Sequence, residues 1–147
     1  GDVLHSRVAR SNLWGLTKMG ASVAFAAPPT LLPPEFNEMG AKVYYDAKEA
    51  VKGADVVMGL RIQRERQKAG LFPSVREYAA FYGIDPDLVA LADKEAIVMH
   101  PGPMNRGVEI TSAVADSDRS LIEEQVKNGL AVRMALLFLL TRRRDNR

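Results

Sequence analysis

Short apolar runs alternate with helix-start signals along this chain, and that alternation limits the folds open to it. Ala21–Ala26, Ala41–Tyr45, Asp55–Leu60 and Ala96–Met99 each read as a strand. Between them lie segments with helical spacing or caps. Val8 to Met19 carries Val8, Leu13, Leu16 and Met19 near one face, with Gly20 as a stop. Asp46-Ala47-Lys48-Glu49, Ser74-Val75-Arg76-Glu77 and Ser120-Leu121-Ile122-Glu123 fit the capping box, in which a short side chain satisfies a free backbone N–H at the helix start. Their helices are expected to end near Gly53, Gly83 and Thr141. Asp85-Pro86 opens another short helix to about Ala92, and Leu31–Met39, led by proline and stopped by Gly40, reads as a brief one. Strands separated by helices predict a mostly parallel sheet with helices on both sides, a three-layer α/β/α, Rossmann-like domain. The run Asp55–Leu60 is nearly all apolar, as a strand buried on both faces would be.

With 147 residues, the chain fits one domain, residues 1–147, long enough for a sizeable core. Twenty basic against eighteen acidic residues leave a net charge of +2, too balanced to argue for nucleic acid. Arg142-Arg143-Arg144 and Arg147 account for the excess and read as a solvated tail. There is no cysteine, which excludes a disulfide framework and thiolate chemistry. The two histidines lie far apart, so no metal is expected. The longest apolar run, Ala135–Leu140, is too short to span a bilayer, and no signal peptide precedes Gly1, so a cytoplasmic location is expected. Gly1–Arg7 reads as a turn that follows a strand, yet no strand precedes it; the chain is expected to be cut from a longer protein. The last helix is amphipathic over Ile122, Val126 and Leu130 and then apolar all round from Met134 to Leu140. Such a helix is either central in the core or, the reading favoured here, packed on another domain.

Ligands of open α/β sheets bind at the carboxyl ends of the strands. Three segments are expected to meet there: the Gly1–Ser11 turn, the Arg61–Arg66 end and the His100–Arg106 loop. Arg7 stands at a helix N-terminus, where backbone N–H groups also favour anions. Arg61 and Gln63 would share one face of a strand running past Leu60. Two guanidinium forks suit two carboxylates, so the implied ligand is a small dianion. The plainer alternative is that these arginines pair with Asp2, Asp46 or Glu65. In His100-Pro101-Gly102-Pro103 the prolines remove donors and fix the backbone, leaving carbonyls to face the cleft; an ordinary stiff turn is the competing reading. His100 and His5 read as packed, hydrogen-bonded side chains rather than catalysts. No Gly-x-Gly-x-x-Gly fingerprint is present, so no nucleotide cofactor is expected.

Gly1-Asp2-Val3-Leu4-His5-Ser6-Arg7-Val8-Ala9-Arg10-Ser11-Asn12, Leu60-Arg61-Ile62-Gln63-Arg64-Glu65-Arg66 and His100-Pro101-Gly102-Pro103-Met104-Asn105-Arg106-Gly107-Val108-Glu109-Ile110 occur in the order seen in the aspartate carbamoyltransferases. The chain resembles the C-terminal, aspartate-binding domain of that family's catalytic chain over its whole length. The resemblance implies transfer of the carbamoyl group of carbamoyl phosphate to the α-amine of L-aspartate, an early step of pyrimidine synthesis. It implies that Arg7 and Arg61 hold the aspartate carboxylates with help from Gln63. Backbone carbonyls of Gly102 and Pro103 would contact the carbamoyl amide and the attacking amine. The polar stretch after Gln63 resembles the family's mobile loop. It further implies a homotrimer of full-length chains, in some members joined by regulatory chains or dihydroorotase, with no cofactor, nucleic acid or membrane.

Departures from the family pattern matter too. The family's Ser-x-Arg-Thr-Arg motif and catalytic Lys belong to an N-terminal carbamoyl-phosphate domain and are absent, so this chain alone is expected to be inactive. Val8 stands where some members have a Thr that also helps with aspartate. Ornithine carbamoyltransferase shares the fold but carries a His-Cys-Leu-Pro loop where this chain has His-Pro-Gly-Pro. A non-catalytic assembly or regulatory module of the same fold is the alternative of a different class.

Overall fold

The structure, a computed structural model, describes residues 1–62 and 74–142. Its order is α1 (Arg7–Lys18), β1 (Ala24–Ala26), a 3-10 turn (Pro29–Leu31), α2 (Glu35–Glu38), β2 (Lys42–Tyr44), α3 (Ala47–Val51), β3 (Val56–Met58), α4 (Val75–Tyr82), α5 (Pro86–Val89), β4 (Ile97–Met99), α6 (Ser112–Ala115) and α7 (Ile122–Arg142). This is an α/β, Rossmann-like fold with parallel strands, as expected. β1 pairs with β2, Phe25 opposite Val43, and β3 with β4, Val57 opposite Val98. The expected single sheet is registered as two such pairs. They meet through side chains: Ala26, at the end of β1, packs on the cluster around Val57 and Val98.

Local chemistry explains most helix starts. The Ser6 hydroxyl accepts from Ala9 N–H at 3.1 Å. Asp46 accepts from Lys48 N–H at 2.8 Å, Ser74 from Glu77 N–H at 3.0 Å, and Asp85 from Leu88 N–H at 2.8 Å. Each bond satisfies one N–H that the helix itself leaves free. Ser120 departs from this pattern. Val98 N–H donates to Arg119 O, and Leu121 N–H donates back to Val98 O, so Ser120 extends the β4 ladder and α7 begins at Ile122. The segment Ser112–Ala115, for which the sequence announces no element, is a one-turn helix capped by Thr111. Four residues are too few to show a period.

Two apolar clusters form the core. One joins Val3, Leu13, Phe25, Leu32, Phe36 and Ile62; Phe25 and Phe36 meet edge to face at 5.3 Å. The other joins Val57, Ile84, Leu88, Val98, Ile110 and Ile122. β3 corrects the expectation of a strand covered on both faces. Val57 is buried, but its neighbour Val56 is 46% exposed. Alternating side chains leave opposite faces of a strand, and only one face of β3 is packed at this end.

α7 departs furthest from a core helix. Of its 21 residues only Ile122 is buried. Leu136, Leu137, Phe138, Leu139 and Leu140 are all more than half exposed. The central-core reading of this helix is therefore excluded for the chain as described. No described helix is long and apolar enough to cross a membrane.

Candidate functional site

The turn before α1 is built on a buried carboxylate. Asp2 is fully buried and accepts from His5 N–H at 3.1 Å and from His5 Nδ1 at 3.0 Å. Arg10 closes the turn from the helix side, donating to Leu4 O at 2.8 Å and Ser6 O at 3.2 Å. These bonds fix where α1 starts, and with it Arg7, the first helical residue. The Arg7 side chain is exposed and makes no ion pair or hydrogen bond among the described residues. Asp46 is committed to the α3 cap, and Glu65 lies outside the described residues.

Beyond β3 the ladder stops at Met58 and the in–out alternation shifts phase, because Gly59 and Leu60 are both buried. Leu60 and Ile62 are buried, and Arg61 between them is partly exposed with its Nε buried. Arg61 therefore follows the strand rather than ending it. Gln63, and the polar stretch read as a loop, lie outside the described residues.

The first two segments touch directly. A Cβ added at Gly1 would stand 2.4 Å from Leu60 O and 2.8 Å from Leu60 Cα. Only a residue without a side chain permits so close an approach of two backbones. The third segment reaches the second through Gly59 and Asn105. Gly59 N–H donates to Met99 O at 2.9 Å, and Asn105 Nδ2 reaches Ile62 O at 3.4 Å. The described parts of the three segments expected at one sheet edge thus adjoin, the first two by backbone approach at Leu60 and the third through the Asn105 side chain.

The His100–Ile110 loop is held from several directions. Gly102 N–H donates to His100 Nδ1 at 3.0 Å, which leaves the ring proton on Nε2. That Nε2 stands 3.4 Å from Glu109 Oε1, a long and poorly aligned contact inside the core. His100 is 0% exposed and Glu109 1%. Glu109 also accepts from Asn105 N–H and, at 3.2 Å, from Asn105 Nδ2. Burial works to raise the Glu109 carboxyl pKa, but the nearby His100 ring and the two bonds from Asn105 outweigh it and hold the group below its ordinary value. Outside, Arg106 grips Asp116 with two bonds of 2.7 Å. From α7, Gln125 accepts the His100 N–H at 2.9 Å.

Within this frame Gly102 adopts φ +67°, a left-handed conformation suited to glycine, and the Gly102–Pro103 peptide is cis. Among the described residues the carbonyls of Gly102 and Pro103 accept no hydrogen bond. Pro103 is exposed and Gly102 half-buried. An open groove of about 460 Å³ lies elsewhere, between Met99 and the α7 residues Gln125, Asn128 and Val132; Arg7 and Arg61 do not line it.

Residues 1–140 match the family profile described as aspartate/ornithine carbamoyltransferase, Asp/Orn binding domain. The chain belongs to the aspartate/ornithine carbamoyltransferase family. Within it, the aspartate carbamoyltransferase catalytic subunit of Acetivibrio thermocellus is 63% identical over 143 residues, 97% of this chain and 46% of that protein. The catalytic subunit of Moorella thermoacetica is 65% identical over 140 residues, 95% of this chain and 46% of that protein. The chain thus spans about half the length of the curated relatives it matches. Among solved carbamoyltransferases, the ornithine enzyme of Pyrococcus furiosus aligns with TM-score 0.72 at 30% identity, over 88% of this chain and 44% of that one. Aspartate transcarbamoylase from Trypanosoma cruzi, in complex with phosphate, aligns with TM-score 0.70 at 28% identity, over 93% and 47%.

Sequence reasoning gave no role to Asn105 and Glu109 in this carbamoyltransferase domain and offered Asp2 only as a partner for the arginines, whereas Asp2 accepts from His5. A signal for Glu109 was present: a lone carboxylate between Val108 and Ile110, in an apolar alternation, is a candidate for burial with partners.

Proposed function

We propose that this chain is the L-aspartate-binding domain of an aspartate carbamoyltransferase catalytic chain. The observation that carries the reading is the 63% and 65% identity, across nearly the whole chain, to relatives bearing that name. Arg7 and Arg61 grip the two carboxylates of aspartate, and Gln63 assists. The free carbonyls of Gly102 and Pro103 accept from the carbamoyl amide and from the attacking amine. The amine lone pair attacks the carbamoyl carbon. The tetrahedral intermediate then expels phosphate, which takes the amine proton, and N-carbamoyl-L-aspartate and phosphate result.

The carbamoyl-phosphate half of the site belongs to a second domain. The exposed apolar length of α7 supports the proposal that residues 120–141 pack on it. Full-length chains then form a cytoplasmic trimer in pyrimidine biosynthesis, with regulatory chains or dihydroorotase as further partners in some assemblies. The 147-residue chain by itself is inactive.

The test is steady-state kinetics on the full-length chain. A charge-assisted hydrogen bond contributes about 1.5–3 kcal/mol, so Arg7→Ala and Arg61→Ala should each raise the aspartate KM roughly 10- to 100-fold. An unchanged KM in both variants sinks the assignment. Turnover by the 147-residue chain alone refutes its proposed inactivity.

A further inference from the structure

The mechanism above uses Arg61 on one segment and Gly102–Pro103 on another, and it leaves open what sets the spacing between them. Asn105 stands at their junction. Its one amide nitrogen serves two acceptors, Ile62 O at 3.4 Å and Glu109 Oε2 at 3.2 Å. Ile62 follows Arg61 directly, and Asn105 is two residues past Pro103. Asn105 is therefore the side chain that ties the carboxylate-gripping segment to the carbonyl-bearing loop.

A single asparagine amide would swing if only one acceptor held it. Here the other end of the tie is immobile. Glu109 is 1% exposed, and its backbone is pinned because Ile84 N–H donates to Glu109 O at 3.0 Å. Its two carboxylate oxygens accept from different donors of the same residue, the backbone N–H and the side-chain amide of Asn105. That pair of bonds fixes both the path of the loop and the rotamer of the amide. The flip is fixed as well, because the opposite orientation would set the Asn105 oxygen against both Ile62 O and the carboxylate.

We infer that Asn105, locked by the buried carboxylate of Glu109, is a positioning residue that sets the distance between the Arg61 segment and the Gly102–Pro103 loop. The inference rests on the proposed function of those two segments. It adds that alignment of the amine with the carbamoyl carbon depends on a residue that touches neither substrate. A carboxylate is required at position 109, not merely a side chain of that shape. Glutamine there must turn its NH2 toward Asn105 N–H and His100 Nε2, or toward Asn105 Nδ2. Either choice sets donor against donor. In the second case relief comes from flipping Asn105, which breaks its bond to Ile62 O.

The experiment compares Asn105→Ala and Glu109→Gln with wild type in the full-length chain, measuring kcat, aspartate KM and thermal midpoint together. Val89→Ala, a core truncation on α5, calibrates what lost stability alone does. Misplacement of reacting groups by about 1 Å costs up to roughly 100-fold in rate. Expected is a fall in kcat of about 10- to 100-fold in both variants at saturating aspartate, well below their midpoints, with kcat unchanged in Val89→Ala at a matched loss of midpoint. If the two variants lose midpoint but keep kcat, as Val89→Ala does, the network is structural only and the inference falls while the proposed function stands. If wild type carbamoylates no aspartate, both fall.

Discussion

Gly59 has no room for a side chain. A Cβ there would lie 2.9 Å from His100 Cδ2 and 3.3 Å from Ile84 Cδ1, between two packed side chains. Gly59→Ala is expected to destabilise the domain by about 1–3 kcal/mol, measured by urea denaturation. A variant within error of wild type would mean that the His100 ring moves aside freely. Glu109 carries a second prediction at this scale. Its folded carboxyl lies below the ordinary value of 4.5, so it binds its proton less readily than in the unfolded chain. The stability it contributes is complete above the unfolded value and is lost as pH falls through the lower folded one. The gap in stability between wild type and Glu109→Gln should be widest near neutral pH and close progressively below about pH 4.5. A gap that is constant with pH would disprove the charge dependence. Single residues were legible where chemistry is local. Arg7 and Arg61 stood out as cations near predicted element ends. Asn105 did not, because its importance comes from a contact with Ile62, 43 positions away in the chain.

Helices α3, α4 and α5 were legible from caps that act within three residues, and each capping side chain accepts from a backbone N–H of its first turn. Helix α1 was legible from its apolar spacing and its Gly20 stop, while its Ser6 cap emerges only in the structure. Ser120 was misread for the opposite reason. Its segment pairs with β4, more than twenty positions earlier in the chain, and no local pattern announces that ladder. The Ser6 cap matters most for function, since it sets the first turn of the helix that carries Arg7. Ser6→Ala removes the acceptor for Ala9 N–H in a buried setting. It should cost about 1 kcal/mol of stability, read from denaturation midpoints. In the full-length chain it should also raise the aspartate KM by a few fold through fraying around Arg7. An unaltered KM with the stability loss present would separate the cap from the site.

The molecule as a whole exposes an apolar surface along α7 that few soluble monomers tolerate. The 147-residue chain is expected to bind hydrophobic dyes and to sediment as concentration-dependent oligomers. Replacing Leu137 and Leu140 with glutamate should suppress both behaviours. A dry, monodisperse wild-type monomer would contradict the exposure of the helix. The α/β class was legible because strand and helix periods alternate cleanly. The division of the strands into two ladders was not, since pairing is set by how layers pack rather than by any strand's own composition.

The root of α7 has a mechanical meaning. The helix is anchored at Ile122, and Gln125 and Val126 sit about one turn along it, under His100 and Gly102. At 1.5 Å per residue its 21 residues make a rod of about 30 Å, while the turn under the loop lies only about 5 Å from the anchor. Pivoted there, the rod is a lever with a long outer arm and a short inner one. A tilt of about 5° sweeps the far end through roughly 2.6 Å but shifts Gln125 and Val126 by only about 0.4 Å. Force applied to the tip reaches the carbonyl loop multiplied about sixfold, and displacement reaches it reduced by the same ratio. A body that gripped the outer arm and tilted the helix about this root would place Gly102 finely and stiffly.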